Sequence, residues 1–208
     1  MVEETLQFEV PKPEPLIIVI SGPSGVGKDS VIRRLRERQL PLHFVITATS
    51  RPPRAGERDG VDYFFVTREE FTRMIEQGEL LEHTLVYEDY KGIPKAQVRQ
   101  ALDSGKDVIL RVDVQGAATI RSLCSEAVLI FLTPRNEAEL IQRLKDRKSE
   151  SDQSLAIRLQ TAREEIKRLD EYDYVVENSQ GQLDTAVDTI VAIICAEHRR
   201  VHQRKASL

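Results

Sequence analysis

Leu16-Ile17-Ile18-Val19-Ile20-Ser21-Gly22-Pro23-Ser24-Gly25-Val26-Gly27-Lys28 is the stretch that decides the fold. Five consecutive apolar residues predict a strand buried on both faces, the habit of a parallel sheet. The loop that follows has GxxxxGK spacing and leads into helix-forming sequence from Ser30 to Gln39. Glycines let successive backbone N–H groups converge on an anion. The helix N-terminus adds its dipole, and Lys28 reaches the outer phosphates. Strand, loop and helix together predict a nucleotide phosphate cradle. Asp29 stands where such a loop usually carries Ser or Thr for Mg²⁺, and a carboxylate is itself a competent hard-cation ligand.

Outward from this motif, three more segments predict buried strands: residues 107–113, 127–132 and 172–176. Helical patterns lie between them at 94–104, 115–123, 137–147 and 155–169, and a last helix runs from Leu183 to about Arg200. Alternating strands and helices predict an α/β fold, a parallel sheet of the P-loop NTPase type flanked by helices. Ligands then belong at the C-terminal strand ends, where the Gly22 loop begins and Asp113 closes its strand. Residues 47–93 break the alternation with short strand-like pieces, turns such as Arg58-Asp59-Gly60, and one short helix at 69–76. They predict an inserted lobe. Residues 135–157 carry clustered arginines and an uncapped polar stretch at 148–152, which predicts a mobile basic lid. The core is then 15–46, 94–134 and 158–208, preceded by a loosely ordered, acidic, proline-containing tail at 1–14.

The chain has 208 residues, 40% of them hydrophobic, enough for one sizeable core. Lys plus Arg number 30 against 34 Asp plus Glu, a net charge of −4, which argues against nucleic-acid binding through bulk charge. No apolar stretch approaches the ~20 residues of a membrane span, and the tail resembles neither a secretory signal nor a transit peptide. Cys124 and Cys195 both lie in apolar stretches, so two buried thiols in a reducing cytoplasm are expected.

Arg51-Pro52-Pro53-Arg54 sets two guanidinium groups three residues apart on a turn stiffened by proline. Two such forks converging on one phosphate make charge-assisted, bidentate contacts. Tyr63 is placed to add a hydroxyl to that phosphate, whereas Phe64 and Phe65 read as core. Glu82 by itself reads as a surface charge, and His83 has no partner at metal-ligand spacing. Asp113, ending an apolar strand beside the phosphate loop, suits Mg²⁺ held through water or a substrate contact. Arg143, Arg147 and Arg158 on the predicted lid supply cations for a phosphoryl group in flight, provided the lid closes and excludes water.

The ensemble GPSGVGK, SRPPRAGE with DGVDYFF, GELLEH, YKGIPK, DVQGA, and RLKDRKSES followed by IRL resembles the guanylate kinases of the nucleoside monophosphate kinase group, from about residue 16 to 200. The resemblance implies transfer of the γ-phosphoryl group of ATP to GMP or dGMP, with Mg²⁺ and without an obligate protein partner. It implies that Gly22, Pro23, Ser24, Gly25, Val26, Gly27, Lys28, Asp29, Ser30 and Asn178 bind ATP, Asn178 near the adenine. Arg51, Arg54 and Tyr63 would hold the acceptor phosphate, Glu82 and Thr47 would read guanine, and Glu57 and Asp113 would lie nearby. Lys28, Arg143, Arg147 and Arg158 would be catalytic, and Asp29 and Asp113 would serve Mg²⁺. The sequence departs from the family pattern at Lys91 and Ile93, which replace a tyrosine and a Ser or Thr, and at Arg111, where many relatives carry an acid. Lys91 can meet the acceptor phosphate as a point charge, and Tyr90 is the candidate to take the vacated tyrosine role. A sugar-phosphate kinase would have little use for Glu82 and Thr47, and a non-catalytic binding module would not need the intact loop.

Overall fold

The computed structural model describes residues 12–54, 56–86, 88–145, 152–206 and 208, without the side chains of 86 and 152–154. Most of the expected tail and the centre of the expected lid, Arg147 included, lie outside the described residues. Along the chain come β1 (Ile17–Ser21), α1 (Lys28–Glu37), β2 (Leu42–Phe44), β3 (Ala48–Thr49), β4 (Phe64–Phe65), α2 (Arg68–Glu76), β5 (Leu80–Val86) and β6 (Asp89–Pro94). Then follow α3 (Lys95–Asp103), β7 (Asp107–Arg111), α4 (Val114–Leu123), β8 (Val128–Thr133), α5 (Glu137–Lys145), α6 (Asp152–Ile166), β9 (Tyr174–Glu177) and α7 (Leu183–Glu197).

The larger sheet is parallel, in the order β2-β7-β1-β8-β9. Its central strand β1 is buried along its whole length. Alternate residues feed two cores, as the period-2 geometry of a strand requires. Ile18 and Ile20 pack with Leu35 of α1 and Val187 and Ile190 of α7, while Ile17 and Val19 pack with Val98 of α3 and Ile120 of α4. Each such side chain gains about 1.5–3 kcal/mol by leaving water. The α/β architecture expected from the sequence is the one observed.

The smaller sheet has the order β4-β3-β6-β5, with β3 and β4 parallel and the other pairs antiparallel. Its own small core joins Ala48, Phe71 and Leu80. Helix α2 covers it and starts on a capping box in which Glu70 N donates to Thr67 Oγ1 at 3.1 Å and Thr67 N donates to Glu70 Oε2 at 2.8 Å.

The structure differs from the sequence reading in several places. Strand β2 was not expected: it is a three-residue, half-buried edge strand, too short to show a period. The strand expected to run to Asp113 stops at Arg111, because Asp113 caps α4 by accepting from Gly116 N at 2.8 Å. Helix α6 begins at Asp152 rather than Leu155 and yields to a 3₁₀ turn at Leu169–Glu171. Helix α5, assigned from sequence to the mobile lid, is anchored in the main core by Leu140 and Leu144. Cys124 is buried as expected, but Cys195 is exposed on α7. No helix among the described residues is long and apolar enough to cross a membrane.

Candidate active site

The loop between β1 and α1 is fixed by close backbone approach. At Gly22, φ is 135° and a Cβ would lie 2.3 Å from the carbonyl oxygen of Leu132, so no side chain fits. Gly27 is the N-cap of α1 at φ 91°, where a Cβ would lie 2.5 Å from Asn178 Nδ2. Lys28 Nζ donates to the carbonyls of Gly22 at 2.6 Å and Pro23 at 3.1 Å, which folds the ammonium back over the loop. Burial pulls the Lys28 ammonium down to about 8, against the raising charges of Glu165, Asp29 and Asp113. The group remains cationic at neutral pH.

Asn178 and Arg143 brace this loop from outside. Asn178 is buried, its Nδ2 donates to Val26 O at 2.8 Å, and its backbone N donates to Thr133 O at 2.8 Å. Arg143 donates to Val26 O at 3.1 Å and to Asn178 O at 2.6 Å, and pairs with Glu139 one turn back along α5. Arg158 of α6 reaches Ser24 Oγ at 3.5 Å. Beside the loop, Pro134, Asn136, Leu140, Leu159 and Ala162 line a cavity between α5, α6 and the end of β8.

On the smaller sheet, Arg51 is almost fully buried and forks onto Glu57, at 2.7 Å to Oε2 and 2.6 Å to Oε1. Its guanidinium carbon lies 4.9 Å from the Tyr63 ring centroid and 5.7 Å from that of Phe65. The Arg51 fork, with help from the backbone N–H of Arg54, holds the Glu57 carboxyl down at about 2. Arg54 itself extends an exposed side chain from the same turn. Register places Lys91 opposite Thr49 and Thr84, and Glu82 opposite Ile93, so these side chains share a face. The ladder shifts between Leu80 and Glu82, the kind of bulge that re-aims a side chain. Thr47, just before β3, is buried.

Tyr90 is the correction. Alternation along β6 turns it to the opposite face from Lys91, where it stacks on Phe71 with centroids 5.1 Å apart and planes 12° apart. It belongs to the small core and cannot stand in for the tyrosine that Lys91 replaces.

Glu82 is 5% exposed, and among the described residues no hydrogen-bond donor meets its carboxyl. It lies against the first turn of α4, where a Cβ on Gly116 would come within 2.9 Å of Glu82 Oε1. Burial, reinforced by the charge of Asp113, lifts the Glu82 carboxyl to about 8. A carboxyl on a buried residue that keeps some access to solvent and has no donor from the protein can receive donors from a ligand. The charge of Asp113 favours the protonated form of both Glu82 and Lys28.

Asp29 opens α1 with an exposed side chain and pairs with Arg111 at the end of β7. Among the described residues no group of three or more His, Cys, Asp or Glu side chains could hold a metal. One exposed carboxylate at the loop with Asp113 nearby is nonetheless the donor set Mg²⁺ ordinarily takes from a protein, since phosphates and waters supply the rest. Sequence reasoning gave no role to Gly116, Glu139 or Glu165. Gly116 lies within DVQGA, so its smallness was visible, but only the fold shows that Glu82 needs the space.

The sequence profile described as guanylate kinase matches residues 14–197. A guanylate kinase 2, chloroplastic/mitochondrial, from Oryza sativa subsp. japonica is 55% identical over 199 residues, covering 95% of this chain and 70% of that protein. A guanylate kinase from Halalkalibacterium halodurans is 47% identical over 187 residues, 90% of this chain and 91% of that one. The crystal structure of guanylate kinase from Anaplasma phagocytophilum superposes with a TM-score of 0.75 at 32% identity, covering 91% of this chain and 89% of that one. With a profile that spans its core and relatives aligned along most of their length, the chain belongs to the guanylate kinase family.

Proposed function

We propose that this enzyme transfers the γ-phosphoryl group of ATP to GMP, and to dGMP, giving ADP and the corresponding diphosphate. The observation that carries the reading is Glu82: the carboxyl of a buried residue with no protein donor among the described residues, set against the first turn of the helix that Asp113 caps. Guanine presents an N1–H and an amino N–H side by side, the pair of donors a carboxylate accepts. Adenine presents an acceptor at N1 and would leave Glu82 unsatisfied. Thr47, buried nearby, offers a hydroxyl to the same base.

Arg51 and Tyr63 receive the acceptor phosphate, which takes the place Glu57 now holds on the guanidinium fork. Arg54 and Lys91 add charge from the turn and from the shared face of β6. At the donor end, the backbone N–H groups of the Gly22 loop hold the triphosphate, Lys28 follows its outer phosphates, and the cavity between α5 and α6 receives the base. Mg²⁺ entering with ATP, close to Asp29 and Asp113, would neutralise and orient the β- and γ-phosphates.

An oxygen of the acceptor phosphate then bonds to the γ-phosphorus as the bond to the bridging oxygen of ADP breaks. The acceptor is already an anion, so no general base is required. The protein's part is alignment and positive charge. Lys28 supplies that charge directly. Arg143 holds the loop by Val26 O, and Arg158 of α6, which reaches Ser24 Oγ, adds positive charge beside the donor phosphates. Two thiols, neither in a disulfide, suit a reducing compartment such as the cytosol.

The test is an acceptor panel with ATP and Mg²⁺. GMP should be phosphorylated fastest, with dGMP close behind. Turnover of AMP or UMP above that of GMP would reject the assignment.

A further inference from the structure

Arg111 ends β7, after four buried strand residues, and its side chain is only 20% exposed. It touches both ends of the site. One contact is the ion pair with Asp29, next to Lys28 on the phosphate loop. The other is the ring of Tyr63 on the smaller sheet, 4.9 Å from the guanidinium carbon to the centroid. Arg51 stands over the same ring at the same 4.9 Å, so Tyr63 gathers two guanidinium groups from two different sheets. Arg51 is answered by a half-buried carboxylate that grips it at two points, but Arg111 is answered by one whose side chain is 69% exposed. A mostly buried cation at the meeting point of the two proposed phosphate sites, whose carboxylate counter-ion is itself mostly exposed, is placed to trade that carboxylate for a phosphate.

From this arrangement we infer that Arg111 is a further ligand of the acceptor phosphate, a cation fixed on β7 that exchanges Asp29 for the phosphate of GMP. The exchange needs little motion of Arg111, because its stem is held by the strand and its fork by Tyr63. The moving partner is Asp29, an exposed side chain on the first turn of α1. Acceptor binding thereby frees the Asp29 carboxylate at the phosphate loop. Burial opposes the charge on Arg111, and the Asp29 carboxylate together with Tyr63 more than offsets that, so the group stays cationic throughout. The inference rests on the proposed GMP site and names one more residue in it.

The test compares GMP with guanosine, which shares the base and sugar but lacks the phosphate. Binding is measured by calorimetry without ATP or metal. Arg111→Ala should weaken GMP by about tenfold or more, the scale of a lost charge-assisted contact, and leave guanosine unchanged. Arg111→Lys, which keeps the charge and most of the packing, should fall between the two. Asp29→Asn, by removing the competing carboxylate, should tighten GMP. Equal weakening of GMP and guanosine in Arg111→Ala would show a structural role, and unchanged GMP affinity would remove Arg111 from the site. Either result overturns the inference while the parent still binds GMP. A parent that fails to bind GMP would instead overturn the functional assignment.

Discussion

The two halves of the site are built in opposite ways. Around the phosphate loop, polar groups already have partners within the protein: Lys28 bonds to Gly22 and Pro23, and Asn178 and Arg143 bond to Val26. On the smaller sheet, Glu82 is buried with no donor among the described residues, and Arg51 is satisfied by Glu57, a carboxylate where the proposed function sets a phosphate. One half is preformed by backbone geometry, and in the proposed function the other is completed by its ligand. A preformed anion site loses little entropy when it binds, whereas an unsatisfied one gains selectivity, because a wrong base leaves a buried group unpaired.

The contrast is most sharply tested at Lys28. Lys28→Ala should lower kcat by on the order of 10²–10³, as for other removed transition-state donors, and leave GMP affinity near that of the parent in calorimetry. A large loss of GMP affinity would mean that the two halves are not independent.

Next in size is Glu82→Gln. It should erode the preference for GMP over AMP by about tenfold or more in competitive turnover, the scale of ~1–3 kcal/mol for an unpaired buried group. The same variant has a stability signature. The folded state holds a proton on Glu82 up to about pH 8, while an unfolded glutamate loses it near 4.5. The ligand-free parent therefore binds more protons folded than unfolded, and its stability falls as pH rises between those values. Glu82→Gln lacks this fall, so its melting temperature should exceed the parent's at pH 9 and converge with it below pH 4.5. Identical melting profiles for the two proteins would contradict the assigned burial.

A smaller effect is expected on the donor half. Asn178→Ala removes one of the two donors to Val26 O, leaving Arg143, and should cost about 0.5–1.5 kcal/mol of stability in thermal melts. Binding of a non-hydrolysable ATP analogue should weaken while GMP binding holds. The smallest effect belongs to Tyr90→Phe. The Tyr90 ring stacks on Phe71 in the small core, so GMP KM should stay within about twofold of the parent.

The same contrast explains what could be read from sequence. The donor half is contiguous: one apolar strand, one glycine loop and one lysine, all within Leu16–Lys28, so its pattern is visible at a glance. The proposed acceptor half is assembled from Arg51, Tyr63, Glu82 and the first turn of α4, residues up to about 65 positions apart on separate elements. By itself Glu82 looked like a surface charge, and only the resemblance to a family gave it a role. The space that Gly116 leaves for it depends on how β5 meets α4, a tertiary fact with no local signal. Tyr90 failed for a local reason, since neighbours on a strand point to opposite faces and a one-residue substitution of roles cannot work. Arg111 was visible as a departure, but its two partners, Asp29 and Tyr63, meet only in three dimensions.

The account turns on a neutral carboxyl that becomes charged when guanine arrives, and proton counting reads this directly. GMP binding should be followed by calorimetry at pH 7.5 in two buffers of different ionisation enthalpy, for the parent and for Glu82→Gln. The parent should release most of a proton more than the variant does, about 0.8 of one for a group that titrates near pH 8. Equal proton release by the two proteins would show that Glu82 does not ionise on binding and would contradict its place opposite the base.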